Sequence, residues 1–343
     1  MAISAPESRT FIEPWPSLPF AEWQKTCETL HMWTQIVGKI RLALTPPINH
    51  WWHVPLYITA RGLTTSAIPY PKGKSRSRSF EITFDLIDHD LHILTSEGTS
   101  KTLPLISRSV ATFYQELMTS LSSLGIKVTI NPVPCEIEKP IPFDQDHLHC
   151  SYDPVYANRF WRILTQTEQV LRQYRSPFIG KSSPIHFFWG SFDLALSFFS
   201  GRPAPARPDA DRITQEAYSH EVISCGFWPG DERFPAPAFY SYIAPSPTGL
   251  DKVSLRPAAA SYHADLGEFL LLYDDVRKAK QPAQTLLKFF QSAYEGSSGL
   301  ARWDRKTLER SSIAALAQHP EPQQASQKST QSGKKKTNDH AKG

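Results

Sequence analysis

Pro47-Ile-Asn-His50-Trp51-Trp52 in the first half of the chain and Pro184-Ile-His186-Phe187-Phe188-Trp189 in the second share a proline, an isoleucine, a histidine and a run of large aromatics. Each follows a long helical stretch, one around Trp23 and one around Trp161. A strand comes later in each half, Glu81–Asp85 and Glu221–Cys225. Then comes an amphipathic helix that ends near glycine, Val110–Gly125 and Pro282–Gly299. Self-similarity in a fixed order decides the fold before any local detail does. Two copies are too few for a solenoid. The expectation is an α+β fold made by tandem duplication of a helix–antiparallel sheet–helix unit, closed with pseudo-twofold symmetry. The units read as a flexible N-terminus over 1–14, a first repeat over 15–145, a second over 146–310 and a disordered basic tail over 311–343.

Local signals fill in the copies. Trp23, Cys27, Leu30, Trp33, Val37, Ile40 and Leu44 recur at steps of three and four, one apolar stripe on a helix. Pro46-Pro47 ends it, because proline cannot donate to the helix ladder. Trp51–Ala60 reads as a strand with Trp52, Val54, Leu56 and Ile58 on one face, and 61–78 as a polar loop. Asp88-His89-Asp90 between two apolar runs signals a hairpin. Ser109 caps the second helix and Gly125 stops it. Pro132, Pro134, Pro140 and Pro142 make a stiff connector. Asp153-Pro154 is an N-cap followed by proline at the first helical position. Ile185–Ser200 reads as one long aromatic strand. Strands follow at 220–228, 239–243 and 268–273, and the last helix spans 282–295.

Composition bounds the class. Of 343 residues, 40% are hydrophobic, with 9 Trp and 19 Phe, enough for a sizeable core. The net charge of +4 is concentrated in the last residues, where Lys328, Lys334, Lys335, Lys336 and Lys342 face only Glu321 and Asp339. A near-neutral body argues against a nucleic-acid partner. The four cysteines lack metal or disulfide spacing, no secretory start is present, and no stretch is long and apolar enough for a bilayer. The expectation is a soluble cytoplasmic protein with no membrane partner.

Leu30-His-Met-Trp-Thr-Gln35, Asn49-His-Trp-Trp-His-Val-Pro-Leu-Tyr57, His186-Phe-Phe-Trp-Gly-Ser-Phe-Asp-Leu194, Ser219-His-Glu-Val222 and Gly226-Phe-Trp-Pro-Gly230 make the chain resemble a known family. It is domain-of-unknown-function family five thousand nine hundred and ninety-six, and the resemblance runs over roughly residues 15 to 310. It implies no reaction, substrate or cofactor.

Strand alternation gives the site argument. In the second copy it puts Trp189, Ser191 and Asp193 on one face. In the first it puts Trp51 and His53 on the corresponding face. A pseudo-twofold would join these faces into one pocket between the repeats, lined by Trp51, His53, Trp189, Asp193, His220, Trp228, Tyr240 and Tyr242. The leading expectation is small-molecule binding there. The alternatives are an enzyme using Asp193, His220 or Glu221 as general acid or base, and a structural or protein-interaction module with its aromatics internal.

No metal is expected: His50 and His53 would oppose one another on a strand, and His220-Glu221 lacks the second histidine of a zinc-protease helix. His53, His220 and Asp193 are the one metal set left geometrically open. No nucleophile elbow, phosphate loop or dinucleotide fingerprint is present, and the cofactor is unknown. Arg175, Lys181, Arg202 and Arg207 are read as solvated loop cations rather than an anion site.

Overall fold

A 25-residue helix, α1 (Phe20–Leu44), runs through the middle of the molecule and is buried on nearly every side. The computed structural model describes residues 13–70 and 78–310. The basic tail, part of the N-terminus and part of the loop over 61–78 lie outside the described residues. The stripe Trp23–Ile40 is buried as the periodicity predicts, yet so are Thr26, Thr29, Thr34, Gln35, Lys39 and Arg41. A chain segment without regular structure wraps that second face, and the polar side chains of α1 satisfy its backbone. Gln35 donates to the Cys135 carbonyl at 2.9 Å and accepts from the Cys135 N–H at 2.9 Å. Lys39 donates to the Val133 carbonyl at 2.7 Å, and Thr26 accepts from the Asp153 N–H at 3.0 Å. The proline-rich connector is therefore a strap on α1.

The first sheet holds β1 (Tyr57–Ile58), β2 (Gly62–Thr64), β3 (Ile68–Pro69), β4 (Ser79–Asp85), β5 (Asp90–Thr95) and β6 (Ser100–Pro104). Its order is β1-β2-β4-β5-β6, with β3 also on β4, and every pair is antiparallel. The β4–β5 hairpin turns at His89, as Asp88-His89-Asp90 predicts. Next comes α2 (Val110–Ser123), where Ser109 accepts from the Thr112 N–H and Gly125 has φ 76°. Asp153 caps α3 (Pro154–Arg175) by accepting from the Val155 and Tyr156 N–H groups.

The second sheet is larger. It holds β7 (His186–Phe188), β8 (Asp193–Pro203), β9 (His220–Trp228), β10 (Ala238–Ala244), β11 (Ser261–His263) and β12 (Glu268–Leu272), in the order β11-β12-β10-β9-β8-β7. A short helix, α4 (Arg212–Ala217), precedes β9. After β12 come α5 (Tyr273–Arg277), α6 (Pro282–Leu300) and α7 (Arg305–Leu308). Helices α3 and α6 pack on one face of this sheet. That face carries Leu194, Leu196 and Phe198 from β8, Ile223, Cys225 and Phe227 from β9, and Phe239 from β10. The edges of the two sheets meet at Leu56 and Phe187, whose backbones exchange hydrogen bonds of 2.9 Å in both directions.

Two strand readings are corrected. Trp51–Ala60 is not a strand. Asn49–Trp51 is a single tight helical turn in which His50 and Trp51 take φ of 58° and 61°, and only Tyr57–Ile58 is extended in the sheet. Ile185–Ser200 is not one strand but a hairpin. Trp189-Gly190-Ser191-Phe192 forms its turn, with Phe192 at φ 59°. Aromatic content suggested strand in both places, but the chain reverses there without an Asn-Gly or Asp-Gly signal.

Candidate functional site

The face of the second sheet turned away from α3 and α6 is built differently from the core face. Alternation puts Asp193, Ala195, Ser197 and Phe199 on it from β8, and His220, Val222, Ser224, Gly226 and Trp228 from β9. Tyr240 and Tyr242 come from β10, and Glu268 from β12. Small residues form the floor, and the tyrosines lie across them. A Cβ at Gly226 would come within 2.8 Å of the Tyr240 hydroxyl and closer still to the Leu194 carbonyl. Glycine thus lets the phenol of Tyr240 cross β9 and donate to Asp193 on β8. The rings of Tyr240 and Tyr242 stack at 6.2 Å, and the Tyr242 hydroxyl meets that of Tyr218, just after α4, at 3.0 Å.

Asp193 is buried, accepting from the Ser191 hydroxyl at 2.5 Å as well as from Tyr240. Burial raises its pKa, and those two hydrogen bonds offset part of the rise. Two more carboxyls feel its charge. Glu136, in the strap, lies against the β7–β8 turn: its Oε1 is 2.3 Å from where a Cβ of Gly190 would sit. Its pKa is raised to about 7, first by burial and then by Asp193 and Asp211. Glu268 is likewise raised to about 7, by burial and then by Asp193. Glu136 is exposed and Glu268 half-buried. Among the described residues, none of the three carboxyls forms an ion pair with Lys or Arg. Near neutral pH, Glu136 and Glu268 can each give or take a proton.

The other end of the same face is basic. The His50 turn lies over Phe199, with ring centroids 4.8 Å apart, and over His220 at 5.8 Å. Lys181 Nζ lies 2.7 Å from His50 Nε2 and sits over the rings of Trp52 and Phe199 at 5.3 and 5.0 Å. His186, on β7, is fully buried among Trp52, Tyr57 and Phe188, and neither of its ring nitrogens has a protein partner among the described residues. Burial pushes its pKa down to about 3, so the ring is neutral.

The structure thus brings together Asp193, Trp228, Tyr240 and Tyr242, and sets His220 on the same face at its far end. Trp228 is half-buried and stacks on Phe234. Glu221 points to the opposite side of β9, where Arg202 and the Ser200 hydroxyl hold it at 2.6 and 2.8 Å. Trp189 does not share a strand face with Asp193. It sits in the turn and packs against Gly38 of α1, and its indole N–H donates to the Val54 carbonyl at 2.9 Å. His53 is buried in its own turn and accepts from the Ile48 N–H at 3.1 Å, with the half-buried Trp51 ring beside it. Neither residue sits on a strand face. Glu136, Trp52, His186 and Glu268 were missed as site residues, Lys181 was read as a solvated loop cation, and His50 was weighed only as a metal ligand. Parity alone would have placed Glu268 beside Tyr242, whereas nothing local marks Glu136.

Among the described residues, no three His, Cys, Asp or Glu side chains converge on a metal position. Two surface hollows lie elsewhere. A groove of about 450 Å³ is flanked by Arg172, Arg175 and Arg310, and one of about 150 Å³ lies beside Glu221 and Trp303.

The fold and this two-ended sheet face define an α+β protein with a mixed helix and antiparallel-sheet body, and among the described residues no helix is long and apolar enough to cross a membrane. The chain belongs to the family of unknown function DUF5996, whose model matches residues 15–310. No curated protein and no solved structure gives a significant match.

Proposed function

We propose that this protein binds a small polar molecule on the outer face of its second sheet, over Tyr240 and Tyr242, with Asp193 as the anchor. One observation carries the reading. Asp193, Glu136 and Glu268 form a carboxyl group of three around a tyrosine floor with no Lys or Arg ion pair among the described residues. Such a group favours a ligand that brings hydrogen-bond donors or a positive charge. The test is native mass spectrometry of the purified protein, followed by binding of the recovered compound to wild type, Asp193→Asn and Tyr240→Phe. Loss of affinity in folded variants supports the site. Unchanged affinity in both removes it.

Acid–base catalysis is the second reading, favoured by Glu136 and Glu268 lying near neutrality. In it, Asp193 holds the substrate, and one of the two glutamates moves the proton. His220 stays a partner at the basic end, and Glu221, turned away and bonded to Arg202, drops out.

The order α1, first sheet, α2 and then α3, second sheet, α6 supports the internal duplication, with the Leu56–Phe187 bridge as a local twofold contact. Four free cysteines support a reducing, cytoplasmic setting.

A further inference from the structure

We propose that Lys181, positioned by the neutral His50 ring, binds the oxyanion of a small molecule, a phosphate ester or a carboxylate, whose flat apolar part rests on the Trp52 indole. The site lies at the opposite end of β8 from Asp193 and does not depend on the reading of the acidic end.

The tautomer of His50 follows from its neighbours. An ammonium only donates, so His50 Nε2 accepts from Lys181 at 2.7 Å, and the ring proton lies on Nδ1, facing the Ala217 carbonyl at 3.3 Å. His50 is nine-tenths or more buried, and its pKa is lowered by burial and then by the charge of Lys181, so the ring is neutral. Lys181 uses one of its three donors on His50 and has no ion pair among the described residues. Its ammonium stands over two aromatic rings, where it is partly stripped of water.

The surrounding field is positive. Arg41 is buried and donates to the carbonyls of His53 and Thr65. Arg175 donates to the Ser182 hydroxyl at 2.9 Å. Lys181 and Arg41 thus bond to neutral groups of one turn, and Arg41 and Arg175 both act on His186 behind Trp52. Glu216 of α4 is the acid that acts on His50, and His220 of β9 faces it from the sheet.

The turn itself is held in an unfavourable shape. His50 and Trp51 are consecutive non-glycine residues in the left-handed region, and such conformations persist where surrounding contacts fix them, often at ligand sites. Here the His53 ring accepts from Ile48 N–H, and Arg41 ties down the His53 carbonyl. Behind Trp52, His186 supplies a buried imidazole with no protein partner.

The test titrates the full-length protein with inorganic phosphate and, separately, with benzoate, at ionic strength held constant with chloride. Histidine ring NMR signals and the melting temperature are followed. A saturable shift of the His50 signals with a rise in melting temperature is expected for at least one probe. The apparent affinity should weaken about tenfold or more in Lys181→Met, the loss of one charged hydrogen bond. A response to phosphate alone assigns a phosphate ester, and a response to benzoate assigns a flat carboxylate. The proposal is overturned if wild type shows no saturable His50 shift with either probe. It is also overturned if the protein is stabilised without a His50 shift, or if Lys181→Met binds as wild type does. Lys181 is an exposed side chain, so its variant should fold, and the wild-type titration stands without it. Failure here leaves the Asp193 end untouched, because both probes are anions and lack the positive charge that a group of carboxyls favours.

Discussion

The Tyr240 hydroxyl reaches across β9, over Gly226, to donate to Asp193 on β8. One hydrogen bond thus ties three adjacent strands together and fixes the buried carboxyl at the head of the tyrosine floor. Tyr240→Phe removes the donor and leaves Asp193 short of a partner in a buried place. The expected cost is about 1–3 kcal/mol. In a urea-unfolding cycle, Tyr240→Phe and Asp193→Asn should not add: the double variant should lose less than the two singles together. Strict additivity would mean that the pair is not coupled and that Asp193 is held by Ser191 alone.

Glu136 and Glu268 make stability depend on pH in a defined direction. Their folded pKa values, about 7, lie above the ordinary glutamate value of 4.5, so the native state holds protons that the unfolded chain has released. Their contribution is fully present below pH 4.5 and is lost as pH rises to about 7. The histidines oppose it: His31 and His186 are lowered to about 4 and 3 by burial, and they destabilise the fold as pH falls below 6.5. The glutamate part is isolated by difference. Relative to wild type, Glu136→Gln and Glu268→Gln should each gain stability progressively between pH 4.5 and 7. Parallel profiles for variant and wild type would show that these carboxyls titrate normally.

Much of the architecture was legible because it rests on local chemistry. The Ser109 and Asp153 caps, Gly125, the hairpin at His89 and the periodicity of α1 each act within a few residues. The errors came where tertiary contact decides conformation. His50 and Trp51 hold positive φ because Arg41, Ala217 and Lys181 grip the turn from elsewhere in the chain. The β7–β8 turn reverses on Phe192, stacked between His31 and Phe160. Alternation within β8 puts Asp193 on the face away from the helices, but Trp189 does not share it, and Glu136 arrives from the strap, which no local signal marks.

Trp189 has a structural role, which can be tested from its partner. A Cβ at Gly38 would fall 2.2 Å from the Trp189 indole nitrogen, inside a buried contact. Gly38→Ala should therefore destabilise the protein by about 1–3 kcal/mol despite improving helix propensity. A smaller ring should relieve the clash, so Trp189→Phe combined with Gly38→Ala should be more stable than the sum of the two single losses predicts. A neutral Gly38→Ala variant, measured by thermal melting, would show that the helix and the turn are not in close contact.

His186 offers the sharpest separation of structure from function. Its ring is fully buried, both nitrogens lack protein partners among the described residues, and burial lowers its pKa from 6.5 to about 3. A buried polar group without a partner costs about 1–3 kcal/mol, so His186→Leu should stabilise the protein at pH 7. The sign of the pH effect is also fixed. A folded pKa below the unfolded one means that stability is present above pH 6.5 and falls as acid protonates the unfolded chain first. For His186, the loss between pH 7.5 and pH 5 is on the order of 2 kcal/mol. His186→Leu should remove that part of the acid sensitivity. Chemical unfolding of both proteins at the two pH values measures it directly. If His186→Leu is instead less stable at pH 7 and as acid-sensitive as wild type, the imidazole has partners in solution, and its aromatic box is not a closed core.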